Sequence, residues 1–213
     1  MEIFSRKMKC SNPFIGIAGN IGVGKTTFTE IVSQKFGWKS YYESVIENPY
    51  LSDFYKNMKR WSFNLQIYFL HHRFETHIEM SKSKTGTIQD RTIYEDVEIF
   101  ARNLYKMGLM SDRDWNTYKK LFENMVSSLR KPDLIIYLKA STDTLISRVN
   151  IRNREFEKNI KPDYLHRLNI SYDAWISNLS EFPVYVINTD NFNIFKEPDK
   201  LNFYCDEIRE LLN

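Results

Sequence analysis

Five short apolar runs, separated by longer mixed stretches, set the rhythm of the chain. Phe14-Ile15-Gly16-Ile17-Ala18, Leu134-Ile135-Ile136-Tyr137-Leu138 and Val184-Tyr185-Val186-Ile187-Asn188 are nearly continuous apolar segments. That pattern suits strands buried on both faces, as in a parallel sheet. Gly86-Thr87-Ile88-Gln89-Asp90 is a fourth strand, and Trp38 to Glu43 a fainter one, preceded by the turn-prone Gly37. The intervening stretches predict helices over Thr26–Phe36, Trp61–Met80, Glu95–Lys106 and Asp112–Leu129, the last two parted by Gly108. Ser141-Thr142-Asp143 can cap a helix running to Asn153, and Lys161-Pro162-Asp163 can open another through Leu179. A last helix runs from Pro198 to Leu212, and Ser81 to Gly86 predicts an exposed turn. Strands alternating with helices predict an α/β sandwich on a mostly parallel sheet. The 213 residues suit one domain, 1–213, with 1–12 as a flexible lead-in.

Charge narrows the function classes. Thirty basic and 27 acidic residues leave a net charge of +3, which makes no case for a nucleic-acid binder but leaves acidic small ligands open through local arginine clusters. Aromatic residues make up 15% of the chain, enough to line a pocket for a planar ligand as well as a core. Cys10 and Cys205 are the two cysteines, and they read as free thiols without metal-ligand spacing. The start, MEIFSRKMKCSNP, lacks the apolar segment of a signal peptide, and no stretch is long and apolar enough to span a bilayer. A reducing cytoplasmic setting with no membrane partner is expected, although the basic start leaves an organellar address open.

The sharpest chemical signal is Gly19-Asn20-Ile21-Gly22-Val23-Gly24-Lys25-Thr26-Thr27. It fulfils the G-x-x-x-x-G-K-[ST] pattern between a predicted strand and a predicted helix, the context that makes the pattern specific. Successive backbone N–H groups would cradle phosphates, Lys25 would reach the β- and γ-phosphates, and Thr26 would offer its hydroxyl to Mg²⁺. A nucleotide such as ATP is therefore expected.

Other positions acquire meaning beside that loop. Glu43, at a strand end, could accept a proton from a hydroxyl nucleophile, though a surface carboxylate is the ordinary alternative. Asp90-Arg91 ends another strand. Arg91 could hold a transferring phosphoryl group, and Asp90 could order Mg²⁺ through water or orient Arg91; a solvent-facing ion pair is the plain reading. Arg148, Arg152 and Arg154 could close over a triphosphate as a flap of residues 148–160, with a solvated helix end as the alternative. Gln66 and Arg73, seven apart on one helix face, could read a base edge together with Asp96, while Phe100 could stack on the ring. Each alone is more often core or a buried polar pair.

These landmarks together, GNIGVGKTT, the YES around Glu43, RWSFNLQIYFLHHR, QDRTIYED and RVNIRNREFE, resemble the deoxyribonucleoside kinases from Phe14 to about Phe195. The resemblance implies a P-loop kinase fold with a five-stranded parallel sheet, an arginine-rich lid and a homodimer. It implies Glu43 as the base for the 5′-hydroxyl, Arg91 as the arginine of the family's acidic-Arg-Ser motif, Lys25 as a catalytic cation and Tyr55 with Glu157 on the sugar 3′-hydroxyl. Gln66 matches the family's base-reading glutamine, Arg73 and Asp96 match the arginine–aspartate pair of members that take deoxycytidine or deoxypurines, and Phe100 resembles the stacking ring. Glu43 is followed by Ser44 where the family often has proline, so Glu47 competes for the base role. The wording NPYL and DRTIYED is most similar to bacterial deoxyadenosine kinases, some of which accept deoxycytidine.

The implied reaction is ATP plus a 2′-deoxyribonucleoside giving ADP and the 5′-monophosphate, with ATP bound as the Mg²⁺ complex. A nucleoside-monophosphate kinase would need a basic clamp where Glu43 stands, because two negative groups would oppose each other. A nucleotide-dependent switch protein would have no use for Tyr55, Gln66, Arg73, Asp96 and Glu157.

Overall fold

The computed structural model describes residues 12–42, 48–158 and 160–213. Its centre is a five-stranded sheet of β1 (Phe14–Ala18), β2 (Lys39–Tyr41), β3 (Thr87–Asp90), β4 (Leu134–Lys139) and β5 (Val184–Asn188), in the order β2-β3-β1-β4-β5. Every neighbouring pair is parallel. The chain crosses between strands through α1 (Lys25–Phe36), α2 (Leu51–Lys56), α3 (Met58–Ser81), α4 (Ile93–Glu95), α5 (Arg102–Lys106), α6 (Asp112–Val126), α7 (Thr142–Arg152) and α8 (Pro162–Asn178), and α9 (Pro198–Leu211) follows β5.

Alternation along the strands feeds two cores. Ile15, Ile17, Leu134, Ile136 and Leu138 join Phe28, Val32, Leu201 and Ile208, so α1 and α9 cover one face. Ala18, Ile135 and Tyr137 join Leu65, Leu70, Leu104, Leu168 and Tyr172, so α3, α5 and α8 cover the other. Burial on both faces explains why these strands read as unbroken apolar runs.

Differences from the sequence expectations fall where local propensity is outweighed. The faint strand shrinks to β2, and Glu43 and Glu47 lie outside the described residues, as do 1–11 of the lead-in and Cys10. The long helix starts at Met58, where the Asn57 side chain accepts from Arg60 N–H, and the separate helix α2 precedes it. The helix expected from Glu95 begins at Ile93 and loosens into a π-helical turn over Asp96–Ala101 before α5 resumes. Such turns concentrate at functional sites because they re-aim side chains without ending the helix. Ser141 caps α7 as expected, accepting from Thr144 N–H at 3.2 Å. Cys205 is a buried free thiol. No helix among the described residues is long and apolar enough to cross a membrane.

In open parallel sheets, ligands collect beyond the carboxyl ends of the strands. Here β1 runs into the glycine loop, β3 into Arg91, and β4 into α7.

Candidate active site

Two cavities lie at that end of the sheet. The larger, of about 480 Å³, takes in Gly22, Lys25 and Thr26 on one side and Tyr55, Gln66 and Asp96 on the other. Asp90, Arg91, Phe100, Arg152, Arg154 and Glu157 complete much of its wall. The second, of about 380 Å³, lies between the loop and residues 189–195. The two share Gly24, Thr27 and Arg148. One cavity thus places the loop and the base-reading set side by side, and its neighbour reaches the segment after β5.

The loop's shape comes from its glycines. Gly19 has φ +150, and a Cβ there would stand 2.7 Å from the Leu138 carbonyl oxygen; Gly22 has φ +86 and packs against Val149 and the Leu145 carbonyl. Lys25 Nζ donates to the carbonyls of Gly19 at 2.9 Å and Asn20 at 3.1 Å. Asn20 turns away from the cavity: its amide donates to Leu165 O and Asn169 Oδ1, each at 2.9 Å, and pins the loop to α8. Val23 is buried in the α1 core, while Ile21, Gly22, Gly24, Thr26 and Thr27 line the cavity.

Thr26 Oγ1 donates to Asp90 Oδ2 at 2.6 Å. The other carboxylate oxygen, Asp90 Oδ1, is buried without a partner. A hydroxyl and a carboxylate are hard oxygen ligands of the kind magnesium accepts, so this pair fits that ion. Among the described residues no cluster of three or more His, Cys, Asp or Glu could hold a metal by itself.

Arg91 adopts the left-handed backbone, with φ 71, uncommon for a residue with a Cβ. Its N–H donates to Ile17 O at 3.0 Å, and its guanidinium lies 4.2 Å from the centre of the Phe100 ring. Phe100 therefore carries a cation on its face.

The expected pair of Arg73 and Asp96 is present. Arg73 Nε donates to Asp96 Oδ2 at 3.1 Å and Nη1 to the Asp90 carbonyl at 3.1 Å, with both side chains almost wholly buried. Asp96 faces the cavity, whereas Arg73 stands behind it and orients it. Gln66 lines the cavity, and its Oε1 is buried without a partner. Tyr55 and Glu157 are also brought to this wall.

The three arginines of the 148–160 segment diverge. Arg148 Nη1 donates to Val23 O and Thr189 Oγ1, both at 3.0 Å, which ties α7 to the loop and to the end of β5. Burial pushes its pKa down. Arg152 and Arg154 face Glu157 instead, at 2.5 and 3.8 Å.

Reading residue types one at a time passes over Tyr42, Phe54, Phe69 and Tyr164, which give the larger cavity aromatic walls. It also passes over Glu95, which has no exposed surface and accepts from Gly19 N–H at 3.2 Å, Thr92 N–H at 2.9 Å and the Tyr172 hydroxyl at 2.7 Å. Burial pushes its pKa up, opposed by the nearby charges of Arg91 and Lys25. The only sequence signal for it is Thr92-x-x-Glu95, a capping-box pattern, and the box is formed here.

Comparison with known proteins agrees with this architecture. Residues 15–213 match the family model described as deoxynucleoside kinase. The chain is 41% identical to a deoxyadenosine kinase of Dictyostelium discoideum, over 92% of this chain and 79% of that one. It is 42% identical to a deoxyguanosine kinase of Bacillus subtilis, over 94% of this chain and 98% of that one. The solved structure of a deoxyadenosine kinase from M. mycoides with bound dATP superposes with a TM-score of 0.82 at 31% identity, covering 92% of this chain and 99% of that chain.

Proposed function

This chain belongs to the deoxynucleoside kinase family, and from that premise we propose that its ATP-dependent phosphotransfer goes by preference to the 5′-hydroxyl of deoxyadenosine. The observation that carries the base preference is Asp96, an acceptor-only carboxylate on the same cavity wall as Gln66, whose Oε1 is buried without a partner. A glutamine amide matches the adjacent donor and acceptor of an adenine edge, and Asp96 adds a second acceptor for an exocyclic amine. Thymine carries no such amine. Cytosine offers an amine beside a ring nitrogen, which makes deoxycytidine the second reading. The relatives' names include both deoxyadenosine and deoxyguanosine kinases, so they do not choose among the purines.

In the proposed reaction the loop amides from Gly22 to Thr26 and the N-terminus of α1 hold the donor phosphates. Glu43, outside the described residues, takes the proton from the 5′-hydroxyl; this role comes from the family resemblance, with Glu47 as its rival. The nucleoside oxygen forms a bond to the γ-phosphorus, the bond to the bridging oxygen breaks, and ADP leaves. Lys25, Arg91, Arg152 and Arg154 offset the charge that spreads over the transferring group, while Arg148 holds α7 against the loop. Thr26 and Asp90 would hold Mg²⁺, which supplies charge neutralisation at the phosphates when bound. Tyr55 and Glu157 receive the sugar 3′-hydroxyl, and Phe100 lies against the base. The segment 190–192 borders the donor adenine. A cytoplasmic homodimer completes the proposal, on the family resemblance.

The test is product formation from ATP and Mg²⁺ with a panel of deoxynucleosides, with deoxynucleoside monophosphates, or with no acceptor. The proposal expects 5′-monophosphates from the nucleosides and little turnover in the other arms. Turnover only with monophosphates, or only without acceptor, would overturn it.

A further inference from the structure

The side chain that ties the most parts of the site together is Glu95, which has none of the roles assigned above. A capping box accounts for one of its oxygens: Oε2 accepts from Thr92 N–H at 2.9 Å. The box does not account for Oε1, which accepts from Gly19 N–H at 3.2 Å, a residue 76 positions away, and from the Tyr172 hydroxyl at 2.7 Å. One buried carboxylate therefore joins the first residue of the glycine loop, the residue after Arg91, and α8.

Both attachments lie beside catalytic cations. The Gly19 N–H is held by Glu95 while the Gly19 carbonyl takes Lys25 Nζ at 2.9 Å, so the residue is fixed from both ends. Arg91 is held on each side of its left-handed backbone: its own N–H goes to Ile17 O at 3.0 Å, and the next N–H goes to Glu95. A residue with a Cβ stays in that conformation only where its surroundings over-determine it. The sheet register sets Ile17 beside Asp90, so the loop and Arg91 leave neighbouring strands side by side, and Glu95 bridges the gap that opens between them.

We propose that Glu95 is a positioning residue for phosphoryl transfer: its carboxylate fixes the Gly19 and Arg91-Thr92 backbones against each other so that Lys25 and Arg91 meet one phosphoryl group. The inference rests on the kinase reading of the site. Glu95 lines neither cavity, so its effect falls on the geometry of transfer rather than on substrate contact.

Glu95→Gln keeps the size of the side chain but turns one acceptor oxygen into a donor, which opposes an N–H whichever way the amide faces. In folded protein kcat should fall at least about tenfold while KM for deoxyadenosine stays within about threefold, as expected when reacting groups are slightly misplaced. A smaller fall in kcat, or a loss confined to KM, overturns the proposal and leaves Glu95 a helix cap. If the Gln variant does not fold, Tyr172→Phe decides: it removes one donor to Oε1, and a fall in kcat of at least about threefold supports the proposal, a smaller one overturns it. A parent protein that phosphorylates no nucleoside would defeat the kinase reading. An active parent with fully active variants would defeat the Glu95 role alone.

Discussion

Arg152 Nε donates to Glu157 Oε2 at 3.0 Å, so an arginine proposed for the donor phosphates and the carboxylate proposed for the acceptor sugar form one ion pair. Glu157 is the buried partner, with 5% of its side chain exposed against 33% for Arg152. A sugar hydroxyl that donates to Glu157 must share that carboxylate with Arg152. Donor and acceptor halves of the site are thereby linked through two side chains five residues apart.

This linkage predicts non-additive kinetics. Arg152→Ala and Glu157→Gln should each lower kcat/KM for deoxyadenosine, and the double variant should lose less than the product of the two losses. An interaction energy of about 1 kcal/mol is the size expected for residues in direct contact. A double-mutant cycle in kcat/KM measures it, and strict additivity would show that the two act independently.

The Arg73–Asp96 pair predicts a stability cost together with a change of preference. Both side chains are at most 4% exposed, so Arg73→Met would remove the buried cation that faces the Asp96 carboxylate. The expected loss is about 3 kcal/mol or more, read from denaturant unfolding. Asp96→Asn should cut the preference for deoxyadenosine over thymidine about tenfold while leaving KM for ATP nearly unchanged. Equal losses for every nucleoside would remove Asp96 from base reading.

The base assignment is tested at Glu43. Glu43→Gln should still bind ATP but turn over about a hundredfold more slowly or worse, the usual worth of a positioned base. Glu47→Gln should keep most of the activity. The reverse pattern would move the role to Glu47.

His77 predicts a pH effect on stability. Its Nε2 lies 2.7 Å from the Arg130 carbonyl, an acceptor only, so that nitrogen carries a proton, while Nδ1 is buried without a partner. Burial pushes the pKa of His77 down. Below the unfolded value of about 6.5 the unfolded chain then binds more protons than the folded one, so stability is complete above that pH and falls as the pH drops. Melting temperatures at pH 7.5 and 5.5 should differ less in His77→Gln than in the parent. An unchanged difference would assign the acid sensitivity to other groups.

How much of this was legible follows from the physics of each signal. β1 and β4 could be read because strands covered on both faces need unbroken apolar runs, and the glycine loop because its backbone demands glycine at Gly19 and Gly22. The π-helical turn at Asp96–Ala101 was not legible, since its residues have ordinary helical preferences and only packing selects the wider turn. Arg148 was read as a lid residue with Arg152 and Arg154; its bonds to Val23 and Thr189 were not legible, because the sheet and not the helix brings those partners near. Glu95 left only a local capping pattern. Its bond to Gly19 spans 76 residues and exists only once β1 and β3 pair. Glu43 was read as a candidate base from its place at a strand end and from the resemblance, and it lies outside the described residues.

Base preference is the most direct test of the proposed acceptor site. Steady-state kcat/KM for deoxyadenosine, deoxyguanosine, deoxycytidine and thymidine, measured with the same ATP and Mg²⁺, should be highest for deoxyadenosine and lowest for thymidine, which lacks the exocyclic amine that Gln66 and Asp96 are proposed to receive. A highest value for any of the other three, or values that do not distinguish the four, would contradict it.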